Sequence, residues 1–265
     1  MVLGVAVVYG IVLLVVNKFQ RKLVFQTYPI FCSQKMSPGP GPPHFTITTS
    51  DCETLDALWA PVDAAHGKAI LYLHGNAANL CSRETRIRAL TELGFSVLAI
   101  DWRGYGKSTG SPSQEGLQLD AEAALDWLSR RIDLSNVVVL AESIATGVAV
   151  ELVAKHQVRA LVLEAPYFSA VSLAEAFLPF FPVRALMLDH FRSDLWIVKT
   201  RAHLLVQHGR RDFTVPFRQG ERLYAIAPHP KRFIAYPRGG HYDLPEKHNS
   251  YRDLKEFLDE CFRMN

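Results

Sequence analysis

Short apolar runs alternate with longer amphipathic stretches along most of this 265-residue chain. Lys68–Leu73, Phe95–Ile100, Asn136–Leu140, Ala160–Leu163, Ala202–Gln207 and Arg232–Tyr236 are rich in Val, Ile, Leu and Ala. Runs this short have the length of strands. Their lack of polar alternation predicts burial on both faces, as in a parallel sheet. Between them, Ser82–Leu93, Glu115–Arg131, Ile144–Lys155 and Tyr251–Phe262 place apolar residues at helical spacing. His44–Thr49 and Leu55–Ala60 instead alternate around a turn at Ser50–Glu53, which predicts an antiparallel pair at one edge. The pattern predicts an α/β fold: a mostly parallel, eight-stranded sheet with helices on both faces. One connection, Tyr167–Thr200, is too long for a simple crossover and carries Ala176–Pro182 and Ala185–Leu188. It predicts a small cap over about residues 167–200, between the sixth and seventh strands. The closing pattern assigns residues 44–265 to one domain.

The N-terminus follows a different pattern. Met1–Val16 has no charge and is almost wholly apolar, with Lys18, Arg21 and Lys22 after it. As a helix, the run spans about 24 Å against a hydrocarbon core of about 30 Å. A buried helix, a cleaved signal and a membrane anchor all fit that composition. A signal would carry charge ahead of the run and a small-x-small site behind it, and neither is present. Residues 1–17 are therefore expected to form a single-pass anchor, with 18–43 a linker ending in the stiff spacer Ser37–Pro43. The basic flank places the domain on the cytoplasmic side by the positive-inside rule.

Composition narrows the function. A net charge of +3 with scattered basic residues excludes a nucleic-acid surface. The four cysteines, Cys32, Cys52, Cys81 and Cys261, have neither disulfide-scaffold density nor zinc spacing. They suggest a reducing compartment, with a Cys32–Cys52 bridge left open.

In such sheets, ligands sit beyond the carboxyl ends of the strands. The segments there are His74–Ala77, Asp101–Ser108, Ala141–Ala145, Glu164–Pro166, His208–Asp212 and Gly239–His241. Ser143 falls at a strand-to-helix turn with small residues, Ala141 and Ala145, two positions to either side. That turn projects a nucleophilic hydroxyl above a sheet, although glycine is the usual neighbour. His241 is placed to take the Ser143 proton, and Asp212 to hold the other imidazole nitrogen. Glu164 and Asp243 are the rival acids. His74, Asp101 and Arg103 read better as braces for their loops than as reacting groups.

These segments, H-G-N-A, D-W-R-G-Y-G-K-S, the Ser143 turn, H-G-x-x-D and G-G-H, resemble the α/β-hydrolase superfamily. More narrowly, the chain is similar to membrane-anchored serine hydrolases related to monoacylglycerol lipases and acyl-protein thioesterases, and to serine aminopeptidase-like proteins. The resemblance covers about Arg21 to Phe262 and departs from the family at Ala141 and Ala145. It implies a Ser143–His241–Asp212 triad and an oxyanion hole from the backbone of Ile144 and of Asn76 or Ala77. It implies an acyl ester or thioester, from a small molecule or lipid, as substrate, and neither a metal nor an organic cofactor. Phe177, Phe180 and Phe181 in the cap are candidates to line an acyl pocket. A binding protein without catalysis, and a peptidase or amidase with the same triad, are the competing readings.

Overall fold

The computed structural model describes residues 2–27, 43–65, 67–76, 79–244 and 248–263, without the side chains of 2–8, 11, 12 and 64. Cys32, Ala77 and all of the Ser37–Pro43 spacer but Pro43 lie outside those residues.

Eight strands form one sheet: β1 His44–Thr48, β2 Thr54–Ala60, β3 Ala69–Leu73, β4 Ser96–Ile100, β5 Val137–Glu142, β6 Ala160–Glu164, β7 His203–Gly209 and β8 Lys231–Tyr236. Their order is β1-β2-β4-β3-β5-β6-β7-β8. Only β2 runs against its neighbours, pairing antiparallel with β1 and β4. The remaining pairs are parallel. Each of β3, β4 and β6 is buried along its whole length, which is why those runs showed no alternation.

The helices cover both faces. α2 (Glu84–Glu92) and α9 (Ser250–Arg263) pack through Ile87, Leu90, Leu254 and Leu258 into one core. α3 (Gln114–Ser129) and α4 (Ala145–Lys155) pack through Leu117, Leu125, Val148 and Leu152 into the other. The sheet thus separates two apolar layers. α5 (Ala170–Phe177) and α6 (Val183–Leu186) form the cap, and α7 (Ser193–Trp196) returns the chain toward β7. α8 (Phe217–Ile226), between β7 and β8, completes the set.

α1 runs from Val2 to Val24, past the expected end of the apolar segment at residue 17. Its last turns are joined to the cap. Asn17 Nδ2 and Gln20 Nε2 donate to the Leu186 carbonyl (3.0 and 2.9 Å), and Gln20 Oε1 accepts from the Leu188 N–H at 2.8 Å. Arg21 donates from Nε and Nη2 to the two oxygens of buried Asp189, which also accepts the Gln114 N–H that opens α3. Among the described residues, no helix is long and apolar enough to cross a membrane, and most side chains of the Met1–Val16 run lie outside that set. Cys52 is exposed and free, so the bridge left open from Cys32 to Cys52 is absent, whereas Cys81 is disulfide-bonded.

Candidate active site

Ser143 directly follows β5 and sits in the left-handed region at φ 52°. A non-glycine residue there costs on the order of 1 kcal/mol or more, so its surroundings must hold it. Its N–H donates to the Glu164 carbonyl at 2.9 Å, and its carbonyl accepts from the Thr146 N–H and hydroxyl (3.0 and 2.6 Å). Ala141 and Ala145 are completely buried on either side. From β3, the Gly75 loop comes so close that an added Cβ would stand 3.3 Å from Ser143 Cβ.

Ser143 Oγ lies 3.0 Å from His241 Nε2, and His241 Nδ1 lies 2.7 Å from Asp212 Oδ2. The carboxylate can only accept, so Nδ1 carries the proton and Nε2 is left to receive one from the serine. Asp212 Oδ1 accepts the N–H groups of Thr214 (2.9 Å) and Val215 (2.7 Å). Burial opposes the charge on Asp212. Hydrogen bonds from His208 and His241 and from the Val215 N–H overcome it and bring the carboxyl down to about 2. The structure therefore joins Ser143, His241 and Asp212, which come from the ends of three different strands.

The rival acids are used elsewhere. Glu164 pairs with Arg86, and Asp243 Oδ1 accepts the Gly240 N–H at 2.7 Å, shaping the turn before His241. His74, Asp101 and Arg103 brace loops: Asp101 accepts the Leu80 N–H, and Arg103 is clamped by Asp120 and Asp51. Trp102 Nε1 donates to the His74 carbonyl.

Of the expected oxyanion donors, the Ile144 N–H opens the start of α4 directly after the serine. Asn76 stands in the approaching loop, with its side chain engaged at both ends. Nδ2 donates to the Val24 carbonyl (2.6 Å), and Oδ1 accepts from the Gln26 N–H (2.9 Å) and the Tyr105 hydroxyl (2.6 Å). Ala77 lies outside the described residues.

A cavity of about 690 Å³ opens above Ser143 and His241. Its lining combines apolar Val24, Tyr167, Leu173, Phe177, Met187 and Phe191 with polar Ser82, Thr85, Arg86, Glu142 and Glu164. Phe177 is among these lining residues. Phe180 and Phe181 are not in the lining, because the turn after α5 swings them outward. Phe180 is 95% exposed, and Phe181 packs edge-on against Tyr9 of α1. Sequence reasoning missed Val24 because α1 read as detached from the domain. It missed Arg86 because one basic residue on an amphipathic helix looks like a solvated face.

An open, mostly parallel sheet with a serine on a left-handed strand-to-helix turn defines the α/β-hydrolase class. Residues 68–196 match the alpha/beta hydrolase fold family. The uncharacterized protein Rv2307c of Mycobacterium tuberculosis is 35% identical over 242 residues, covering 90% of this chain and 86% of that protein. Human protein ABHD12B is 32% identical over 223 residues, covering 73% of this chain and 61% of its own length. The esterase Pf2001 of Pyrococcus furiosus superposes with a TM-score of 0.69 over 89% of this chain and 97% of its own, at 20% identity, a likeness of fold alone. The chain belongs to the alpha/beta hydrolase fold family.

Proposed function

We propose that this protein is a membrane-associated serine hydrolase that cleaves a carboxylic ester or thioester carrying an acyl chain. The hydrogen-bonded chain from Ser143 through His241 to Asp212, opening into a cavity with many apolar lining residues, carries the reading. In the proposed reaction, Ser143 Oγ attacks the carbonyl carbon and gives its proton to His241 Nε2. Ionised Asp212 holds the imidazolium that forms. The oxyanion takes the Ile144 N–H and a backbone N–H from the loop at 76–77, with the positive end of α4 behind them. Collapse of the intermediate breaks the ester or thioester bond, and the leaving oxygen or sulfur takes the proton from His241. Water then gives a proton to His241 and attacks the acyl-enzyme, releasing the acid and restoring Ser143. The apolar lining residues, from Val24 to Phe191, suit the acyl chain.

Membrane association rests on the Met1–Val16 run, the exposed Leu14, Phe19 and Leu23 of α1, and the exposed Phe180 of the cap. On sidedness, two features oppose each other. Lys18, Arg21 and Lys22 favour the cytoplasm. The disulfide at Cys81 favours an oxidising compartment, and we adopt that side because cytosolic thiols are kept reduced.

A fluorophosphonate probe tests the chemistry. It is expected to label the wild-type chain and not Ser143→Ala. A folded wild type that stays unlabelled would refute the hydrolase reading and leave a binding protein. Paired acyl-ester and acyl-amide substrates then separate an esterase from an amidase.

A further inference from the structure

β5 and β6 end side by side in the same way. Each closes on a glutamate, Glu142 half-buried and Glu164 buried, and the two are register partners. Each glutamate is followed by a non-glycine residue in the left-handed region, Ser143 at φ 52° and Ala165 at φ 50°. Two strained residues in a row of adjacent strands persist only if something fixes both strand ends. The Glu164 carbonyl also accepts the Ser143 N–H, so the second strand end carries the first.

One side chain reaches both glutamates. Arg86 of α2 pairs through Nη2 with Glu164 Oε1, and its Nε lies 3.5 Å from Glu142 Oε1. The same Glu142 oxygen accepts the Tyr72 hydroxyl from β3 at 2.8 Å, and Arg83 stands 3.8 Å from the other oxygen. The Tyr251 ring from α9 lies 4.7 Å from the Arg86 guanidinium carbon. Burial works against the Glu142 charge, but Arg86 and Arg83 outweigh it and hold its pKa below the ordinary carboxylate value. Burial pushes Glu164 up against the pull of Arg86, and the Glu142 charge adds to that rise. The Glu164 contact is a hydrogen bond and the Glu142 contact an ion pair, and a planar guanidinium holds the two at a fixed separation that a flexible ammonium does not.

We propose that Arg86 is a positioning residue for the nucleophile: by bridging Glu142 and Glu164 it fixes the two strand ends that hold Ser143 in its left-handed turn. This rests on the reading of Ser143 as the nucleophile. Arg86 takes no part in bond making. It acts on where Ser143 Oγ stands relative to His241 and the oxyanion donors, and a misplacement of about 1 Å there costs on the order of 10²-fold.

The experiment must separate positioning from simple stability, because removing Arg86 alone leaves buried Glu164 without its ion-pair partner and Glu142 with only Tyr72 and Arg83. The full chain is compared with Arg86→Met, with the neutral triple variant Arg86→Met, Glu142→Gln, Glu164→Gln, and with Arg86→Lys. The readouts are Tm, the rate constant for fluorophosphonate labelling of Ser143, and kcat and KM on p-nitrophenyl butyrate. Arg86→Met is expected to lose both Tm and labelling rate. The triple variant is expected to regain Tm yet label on the order of 10²-fold more slowly, with KM little changed. If it regains the labelling rate along with Tm, the network is structural only and the proposal falls. Should the triple variant stay unstable, Arg86→Lys decides. A fall in kcat of about tenfold or more at unchanged KM and Tm supports positioning, and a wild-type kcat overturns it. Failure of the wild type itself to label would instead remove the hydrolase reading on which the proposal stands.

Discussion

Gly209 and Gly239 meet across the two loops that carry Asp212 and His241. A Cβ at Gly209 would stand 2.3 Å from the Gly239 carbonyl oxygen and 2.6 Å from that of Gly240. The obstacle is backbone, so the loops themselves must part. Gly209→Ala is expected to lower kcat on a short soluble ester by on the order of 10²-fold and to lower Tm. Gly240→Ala, whose Cβ would meet nothing nearer than Asp243 at 3.5 Å, is expected to be far milder. Equal effects from the two would mean that the contact does not set the loop spacing.

The acid is tested by substitution at two carboxylates. Asp212→Asn is expected to cost roughly 10⁴-fold in kcat, as loss of the orienting acid does in a well-studied triad. Glu164→Gln leaves the His241 tautomer alone and is expected to cost far less. The opposite ranking in a steady-state assay would transfer the orienting role to Glu164.

The low Asp212 pKa has a stability signature. Its ordinary value is 3.8 and its folded value about 2, so the folded protein binds this proton less readily than the unfolded chain. The stabilisation is complete above about pH 4 and is lost as the pH falls through about 2. Chemical denaturation across that window is expected to show the gap between wild type and Asp212→Asn narrowing on acidification. A gap that widens toward pH 2 would contradict the assignment.

The alanines flanking the Ser143 turn are accommodated in the packing around them. Ala141 and Ala145 are completely buried between β5, α4 and their neighbours. Ala141→Gly and Ala145→Gly are expected to keep kcat within about tenfold and to destabilise by about 1 kcal/mol through added backbone freedom. A large rise in kcat with either glycine would show that the native turn restrains the reaction.

Deleting Met1–Val16 removes the Tyr9 contacts to Phe180 and Phe181 but spares Asn17, Gln20, Arg21 and Val24, which meet the rest of the cap and the cavity. Hydrolysis of a short soluble ester is expected to survive while flotation with vesicles is lost or weakened. Adding Phe180→Ser and Phe181→Ser is expected to abolish any residual flotation. A truncated chain that unfolds would make the run a structural helix instead of an anchor.

Strand runs and the convergence of Ser143, Asp212 and His241 were legible because parallel strands must be apolar on both faces and because loops after their ends meet on one rim. Boundaries shifted by a residue or two, as at β5, which continues to Glu142. α8 went unread, since Phe217–Ile226 mixes charges into a short amphipathic stretch between two clear strands. The outward turn of Phe180 was equally hidden: apolar sequence in a cap marks surface as readily as lining. Arg86 and Asp189 acquire their partners from segments far away in the chain, Glu164 for the first and Arg21 for the second. Such pairings exist only once the topology is known.

A domain hung on a loose tether swivels, and its mouth faces every direction in turn. Here the polar contacts from Asn17 to Arg21 join the helix axis to the cap, so that axis also sets the direction in which the cavity opens. Any surface that takes up α1 therefore dictates the angle at which a substrate approaches Ser143. Inserting extra residues between α1 and β1 should change neither that angle nor the height of the opening above the surface. The geometry of approach belongs to a rigid joint, not to the length of the chain beside it.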